Sequence, residues 1–162
     1  MLLRHVAASA LFLSLLATPA LAETLSCPDL TKVVQAGACP TEEELQYTYI
    51  GYCSEDARAY RLETGVCVDY KDYRKLKNIS LWETQDGAFQ SYVSCDLPLA
   101  SWRSAKPVKI SLAPPKRGEK MTRLMCDYGN DVVFTHRTHA ACKVEGEESC
   151  VGNAAGCKAS CQ

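Results

Sequence analysis

The sequence is short of the residues and patterns that carry common enzyme chemistry. There is no glycine-rich phosphate loop followed by Lys and Ser or Thr, no Gly-x-Ser-x-Gly elbow and no His-Glu-x-x-His pair. Cys-x-x-Cys is also missing, which removes the usual thiol-redox motif. Histidine occurs three times, tryptophan twice and methionine three times in 162 residues. Net charge is only −1, so a phosphate backbone is not an expected partner. After the first residues no further long apolar run occurs, so no membrane span is expected in the mature chain. No internal repeat is visible.

Cysteine, by contrast, is plentiful. Ten occur: Cys27, Cys39, Cys53, Cys67, Cys95, Cys126, Cys142, Cys150, Cys157 and Cys161. Residues 1–22 read as a secretory signal peptide, with Arg4 and His5, an apolar run from Val6 to Ala17, and Pro19-Ala20-Leu21-Ala22 before a cut at Glu23. Leu25 does not fit the small-residue pattern of a lipoprotein signal ending at Cys27. Export makes disulfides the default state of the cysteines. Ten cysteines allow hundreds of full pairings, and sequence does not choose among them.

Charge is unevenly placed. Residues 23–72 carry a net of −6, residues 73–144 a net of +6, and residues 145–162 a net of −2. Such separation suits protein–protein contact or self-association; mutual neutralisation within one domain is the plainer reading.

The expected organisation is a signal peptide (1–22), a disulfide-bonded α+β domain (23–144) and a Cys-rich tail (145–162). Ser26, Leu30, Val33, Val34 and Gly37 predict a short helix over 26–40. Thr41 is a cap for one acidic turn, and the tyrosine-rich stretch Gln46 to Cys53 reads as a strand. Residues 54–77 are a mixture of short elements. Asp86-Gly87 predicts a type I′ hairpin pairing Thr84 with Phe89 and Trp82 with Ser91, covered on both faces. Val108, Ile110 and Leu112 mark an inward-facing strand that ends at Pro114-Pro115. Met121–Tyr128 and Val132–Thr138 form a further pair. The fold class is therefore α+β: an antiparallel β-meander sheet with one or two short helices and multiple disulfides. The tail from Glu145 is expected to bury little and to depend on Cys150, Cys157 and Cys161 for order.

Candidate functional residues are few. Cys126, His136, His139 and Cys142 have the one metal-like spacing, but in an oxidising compartment the cysteines are more simply disulfide partners. No metal or other cofactor is expected. His136 and His139 are the only histidines of the mature chain, so a hydrolase would have to use one of them. Trp102 and Arg103 resemble an interface anchor, and His136, Arg137 and His139 form a polar, weakly basic strip. The run Lys116-Arg117-Gly118-Glu119-Lys120 reads as a solvated turn. Asn78-Ile79-Ser80 matches a glycosylation triplet, read as accidental in a bacterial protein.

Leu81-Trp82, Gln85-Asp86-Gly87, Phe89 to Cys95-Asp96-Leu97, Cys126-Asp127-Tyr128, Arg137-Thr138 and Cys142-Lys143-Val144 together resemble small exported, cysteine-rich type IV secretion-associated proteins of the EirA type. The resemblance covers about residues 79–144 and implies a periplasmic accessory protein without a known reaction. The expected function is non-enzymatic: a periplasmic binding or assembly protein whose partner is a cell-envelope protein. The alternative is a secreted, extracellular effector or enzyme inhibitor whose rigid loops engage a host or competitor protein.

Overall fold

The computed structural model describes residues 22–56, 65–115 and 120–162. The signal peptide, apart from Ala22, and residues 116–119 of the basic run lie outside these, as do residues 57–64. The described chain is α+β with antiparallel strands, as the alternation patterns predict. A six-stranded sheet has the order β2 (Val34–Gln35), β3 (Ile79–Glu83), β4 (Gln90–Ser94), β7 (Val133–Thr138), β6 (Thr122–Asp127), β5 (Lys109–Ala113), and a three-stranded sheet has the order β1 (Glu23–Ser26), β9 (Lys158–Cys161), β8 (Cys142–Val144).

Sequential hairpins build the large sheet. β3 (Ile79–Glu83) pairs with β4 (Gln90–Ser94) in the expected register, Trp82 opposite Ser91. The turn is not type I′, because only Gly87 of the Asp86-Gly87 pair has positive φ, at 70°. Asp86 instead uses its carboxylate, which accepts from Ala88 N at 3.0 Å and Thr84 Oγ1 at 2.6 Å. β5 (Lys109–Ala113), β6 (Thr122–Asp127) and β7 (Val133–Thr138) follow as a three-stranded meander. The fourth neighbour of that set is β4, which pairs with β7 through Gln90 and Thr135. The order β4-β7-β6-β5 is thus that of a Greek key, with the long β4–β5 connection passing through helix α3 (Leu99–Trp102).

The ends of the chain form the small sheet. β9 (Lys158–Cys161) lies between β1 (Glu23–Ser26) and β8 (Cys142–Val144). The expectation that the tail buries little is therefore corrected. Cys150, Cys157, Ala159 and Cys161 are buried in the same cluster as Leu25, Phe89, Ile110, Leu124 and Phe134. Small residues at these positions let two backbones and a disulfide pack closely, so low apolar content does not mean low burial. Residues 148–150 also cover the outer edge of β5, where Ile110 N donates to Glu148 O at 2.8 Å and Cys150 N to Val108 O at 2.9 Å. An otherwise open row of amides is closed in this way.

Three further expectations change. Residues 26–40 hold no α-helix. Ser26 ends β1, Asp29 caps a single 3-10 turn (Leu30–Lys32), and β2 (Val34–Gln35) pairs with β3. The adjacent β-branched Val33 and Val34 favour extended backbone there, one side chain buried and the other exposed. The hairpin's second face is only partly covered, since Tyr92 is 64% exposed. Val108 precedes β5 and is 38% exposed, while Ile110 faces inward fully.

Five disulfides use all ten cysteines: 27–126, 39–95, 53–67, 142–161 and 150–157. Among the described residues no helix is long and apolar enough to cross a membrane.

Candidate binding surface

The tyrosine-rich stretch read as a strand is a helix, α1 (Glu42–Cys53). Its start is fixed by a capping box: Thr41 Oγ1 accepts from Glu44 N at 3.2 Å, and Glu44 accepts from Thr41 N at 2.7 Å. Leu45, Tyr49 and Tyr52 recur at i, i+4 and i+7, and this stripe is the side turned toward α2 (Tyr70–Lys77). Tyr49 meets Tyr70 and Tyr73 edge-on, with ring centroids 5.3 and 5.2 Å apart. Leu45 and Tyr73 are buried but stand outside the main core cluster, so the helix pair has a small core of its own.

Covalent and polar ties hold this pair in place. Cys53–Cys67 staples the end of α1 to the 3-10 turn before α2, and Tyr49 Oη donates to Cys67 O at 3.1 Å. Cys39–Cys95 joins the segment before α1 to the end of β4. Arg74 on α2 forks onto Asp96 at 2.7 and 3.0 Å and reaches Glu42 at 3.1 Å. Tyr70 Oη donates to Glu42 at 2.6 Å.

The carboxylates feel these contacts. Tyr70 and then Arg74 hold the Glu42 carboxyl below its ordinary value of 4.5, and Arg74 holds Asp96 below 3.8. Loss of water around Tyr70, and then its bond to Glu42, push that phenol up to about 12. The sign follows from linkage. Carboxyls with lowered values stabilise the fold above their ordinary pKa, and this contribution is lost as pH falls through the lowered values. The thermal midpoint should therefore drop below about pH 4.5. Arg74→Met should flatten that drop, and an unchanged acid profile in the variant would refute the role of this network.

With its inner stripe locked, α1 turns Tyr47 and Ile50 outward. They are 79% and 68% exposed. They flank an open groove of about 840 Å³ whose wall includes Gly51 and Tyr52 from α1 and Tyr73 from α2. Lys77 stands on the far wall, its ammonium 5.1 Å from the Tyr52 ring centre.

The residues singled out by sequence lie elsewhere. Trp102 is a core residue at 2% exposure, packed edge-on to Trp82 with centroids 5.0 Å apart. Its apolar bulk was the anchor signal, and that same bulk is what fills the space beneath α3. Arg103 donates to Thr31 O at 3.2 Å and Val33 O at 3.1 Å and lies over Trp82. It ties the N-terminal segment to the sheet, so its fork is not presented to a partner. His136 is half-buried; its Nδ1 lies 2.7 Å from Ala88 O, a carbonyl that only accepts, so this nitrogen carries the proton. Arg137 and His139 are exposed. Cys126 and Cys142 are bonded to Cys27 and Cys161. Asn78 and Ser80 of the glycosylation triplet are buried, and Ser80 donates to Gly37 O.

Sequence reasoning missed Tyr47, Ile50 and Gly51 as a surface because the strand assignment put Tyr47 and Tyr49 on one face. The Thr41-x-x-Glu44 box was the available signal for a helix. No family model matches this chain, no curated protein matches it, and no solved structure matches it.

Proposed function

We propose that this chain is an exported, non-enzymatic binding protein that docks a protein partner on the outer face of α1. One observation carries the reading: two large apolar side chains, Tyr47 and Ile50, stand in solvent on a helix held to the sheet through Cys39–Cys95 and the Arg74 fork. Exposed aromatic and aliphatic groups on a rigid support bind at low entropic cost. The disulfide-rich fold supports an exported location, where such bonds persist. The finer reading is a periplasmic accessory protein of a secretion complex, which rests on the resemblance to EirA-type proteins.

Affinity capture from cell envelopes, with periplasm and culture supernatant fractionated in parallel, tests both levels. A specific envelope partner recovered with the periplasmic protein is the expected result. Capture that returns no specific partner would count against docking. Recovery chiefly from the supernatant would replace the periplasmic role by that of a secreted effector.

A further inference from the structure

Disulfide exchange requires an attacking thiolate to reach one of the two sulfurs. The five bridges differ in that access. Cys39 is exposed, and the other nine cysteines are buried or half-buried. The bridges 27–126, 142–161 and 150–157 each have at least one cysteine in the core, at 4% exposure or less. Cys53–Cys67 is half-buried at both ends. Cys39–Cys95 is thus the bridge with one end in solvent.

The surroundings of Cys39 add two independent marks. First, a cleft of about 290 Å³ runs beside the bridge, lined by both cysteines and by Gln35, Trp82, Leu97 and Leu99. It gives an incoming group room to lie against the sulfurs. Second, Cys39 sits in an irregular strap between β2 and α1. Ala36 N and Gly37 N donate to Leu81 O before it, and Thr41 N donates to Glu44 after it. Between them, Ala38, Cys39 and Pro40 take part in no backbone–backbone hydrogen bond with the described residues. The strap can therefore shift when the bridge opens without unzipping a strand ladder. Cys53–Cys67 and the Arg74 fork onto Asp96 continue to hold the helix pair, so the opening is local.

A donor also faces the exposed sulfur. Gln35 Nε2 is oriented by its bond to Ser80 Oγ at 2.8 Å and lies 3.9 Å from Cys39 Sγ. A hydrogen bond to a thiolate favours its charged form.

We propose that Cys39–Cys95 is a thiol-exchange site that takes the thiolate of a small thiol or of a thioredoxin-like dithiol protein. The incoming sulfur bonds to Cys39 Sγ as the Cys39–Cys95 bond breaks. The electron pair of that bond leaves on Cys95, whose thiolate takes a proton from water. A second thiol of the same class then attacks the incoming sulfur and leaves on Cys39 a thiolate facing Gln35. The bridge has gained two electrons, and the two attacking thiols are joined as a disulfide. The chain has no Cys-x-x-Cys, so it is the substrate of this exchange and not its catalyst. Run in reverse, the same steps close the bridge in an oxidising compartment.

The test exposes the full disulfide-bonded chain, without denaturant, to glutathione and separately to a thioredoxin whose second active-site cysteine is replaced by serine. Samples are acid-quenched and alkylated, and all ten cysteines are followed by peptide mass spectrometry. Cys95 should become alkylated at least tenfold faster than any cysteine of the other four bridges, with the reagent bonded to Cys39. Faster reaction with thioredoxin at equal thiol concentration assigns the site to a dithiol protein, and faster reaction with glutathione assigns it to a small thiol. Either order supports the exchange site. Leu99→Trp, which narrows the cleft, should slow the step at least threefold; Leu99 is exposed, so the thermal midpoint should hold. An unchanged rate in that variant would overturn the cleft as the path of approach. In the unaltered chain, reagent bonded to Cys95 instead of Cys39, earlier opening of Cys53–Cys67, or opening of all five bridges at one rate would overturn the proposal.

Discussion

Trp102→Ala should destabilise the protein by about 3–5 kcal/mol, the cost of emptying a fully packed tryptophan site. The thermal midpoint should fall by roughly 10 °C, given the few degrees per kcal/mol expected for a chain of this size. Trp102 is sealed at 2% exposure beneath α3, edge-on to Trp82, whose ring Arg103 covers at 5.6 Å. Removing it opens a cavity that the sheet above and Arg103 beside it are too constrained to fill. Denaturant unfolding under oxidising conditions measures the loss. Below the new midpoint, partner capture should be unchanged, because the indole is not at the surface. A variant with native stability and lost binding would mean that Trp102 is an anchor after all.

Cys27→Ala/Cys126→Ala should be the most damaging of the disulfide deletions. This bridge spans 99 residues and joins the segment after β1 to the C-terminal end of β6. The chain-entropy relation assigns a loop of that length about 4.7 kcal/mol, and measured deletions run from about 2 to 5. Cys126 is also wholly buried, so its loss removes packing as well. Cys150–Cys157 spans only 7 residues, and the same relation gives it about 2 kcal/mol less. Unfolding of the two double variants side by side should reproduce that ranking. Equal losses would show that native packing, and not loop closure, sets the contribution of each bridge.

The sheet was readable where polar and apolar residues alternate against one buried face. Trp82 opposite Ser91 fell in the expected register because Thr84 and Phe89 close the hairpin whichever turn type joins them. Inward-facing Ile110 was legible for the same reason. The partner of β7 was not, since pairing order depends on the long connection through α3 and leaves no mark in either strand. α1 was misread because Tyr47, Tyr49 and Tyr52 suit a strand by propensity, while Thr41 and Glu44 signal a helix by capping; in the folded chain the cap and the α2 contact prevail. The tail was misread because hydropathy undervalues Ala159, Cys150 and Cys157, which enter the core through size and covalent pairing. The candidate site shared this blind spot. Trp102 and Arg103 have the composition of an anchor, but burial is a property of the assembled fold. Tyr47 and Ile50 become a surface only after α2 has claimed the other side of their helix.

The central claim is that α1, and not the strip at the end of β7, carries the binding function. Quantitative capture from cell envelopes decides it with three proteins: the unaltered chain, Tyr47→Ala/Ile50→Ala, and Arg137→Ala/His139→Ala. All four substituted side chains are exposed, so each variant should keep its stability to within about 0.5 kcal/mol. The account predicts at least a tenfold loss of the captured partner for the α1 variant and less than a twofold change for the β7 variant. The reverse pattern, or full capture by the α1 variant, would contradict it.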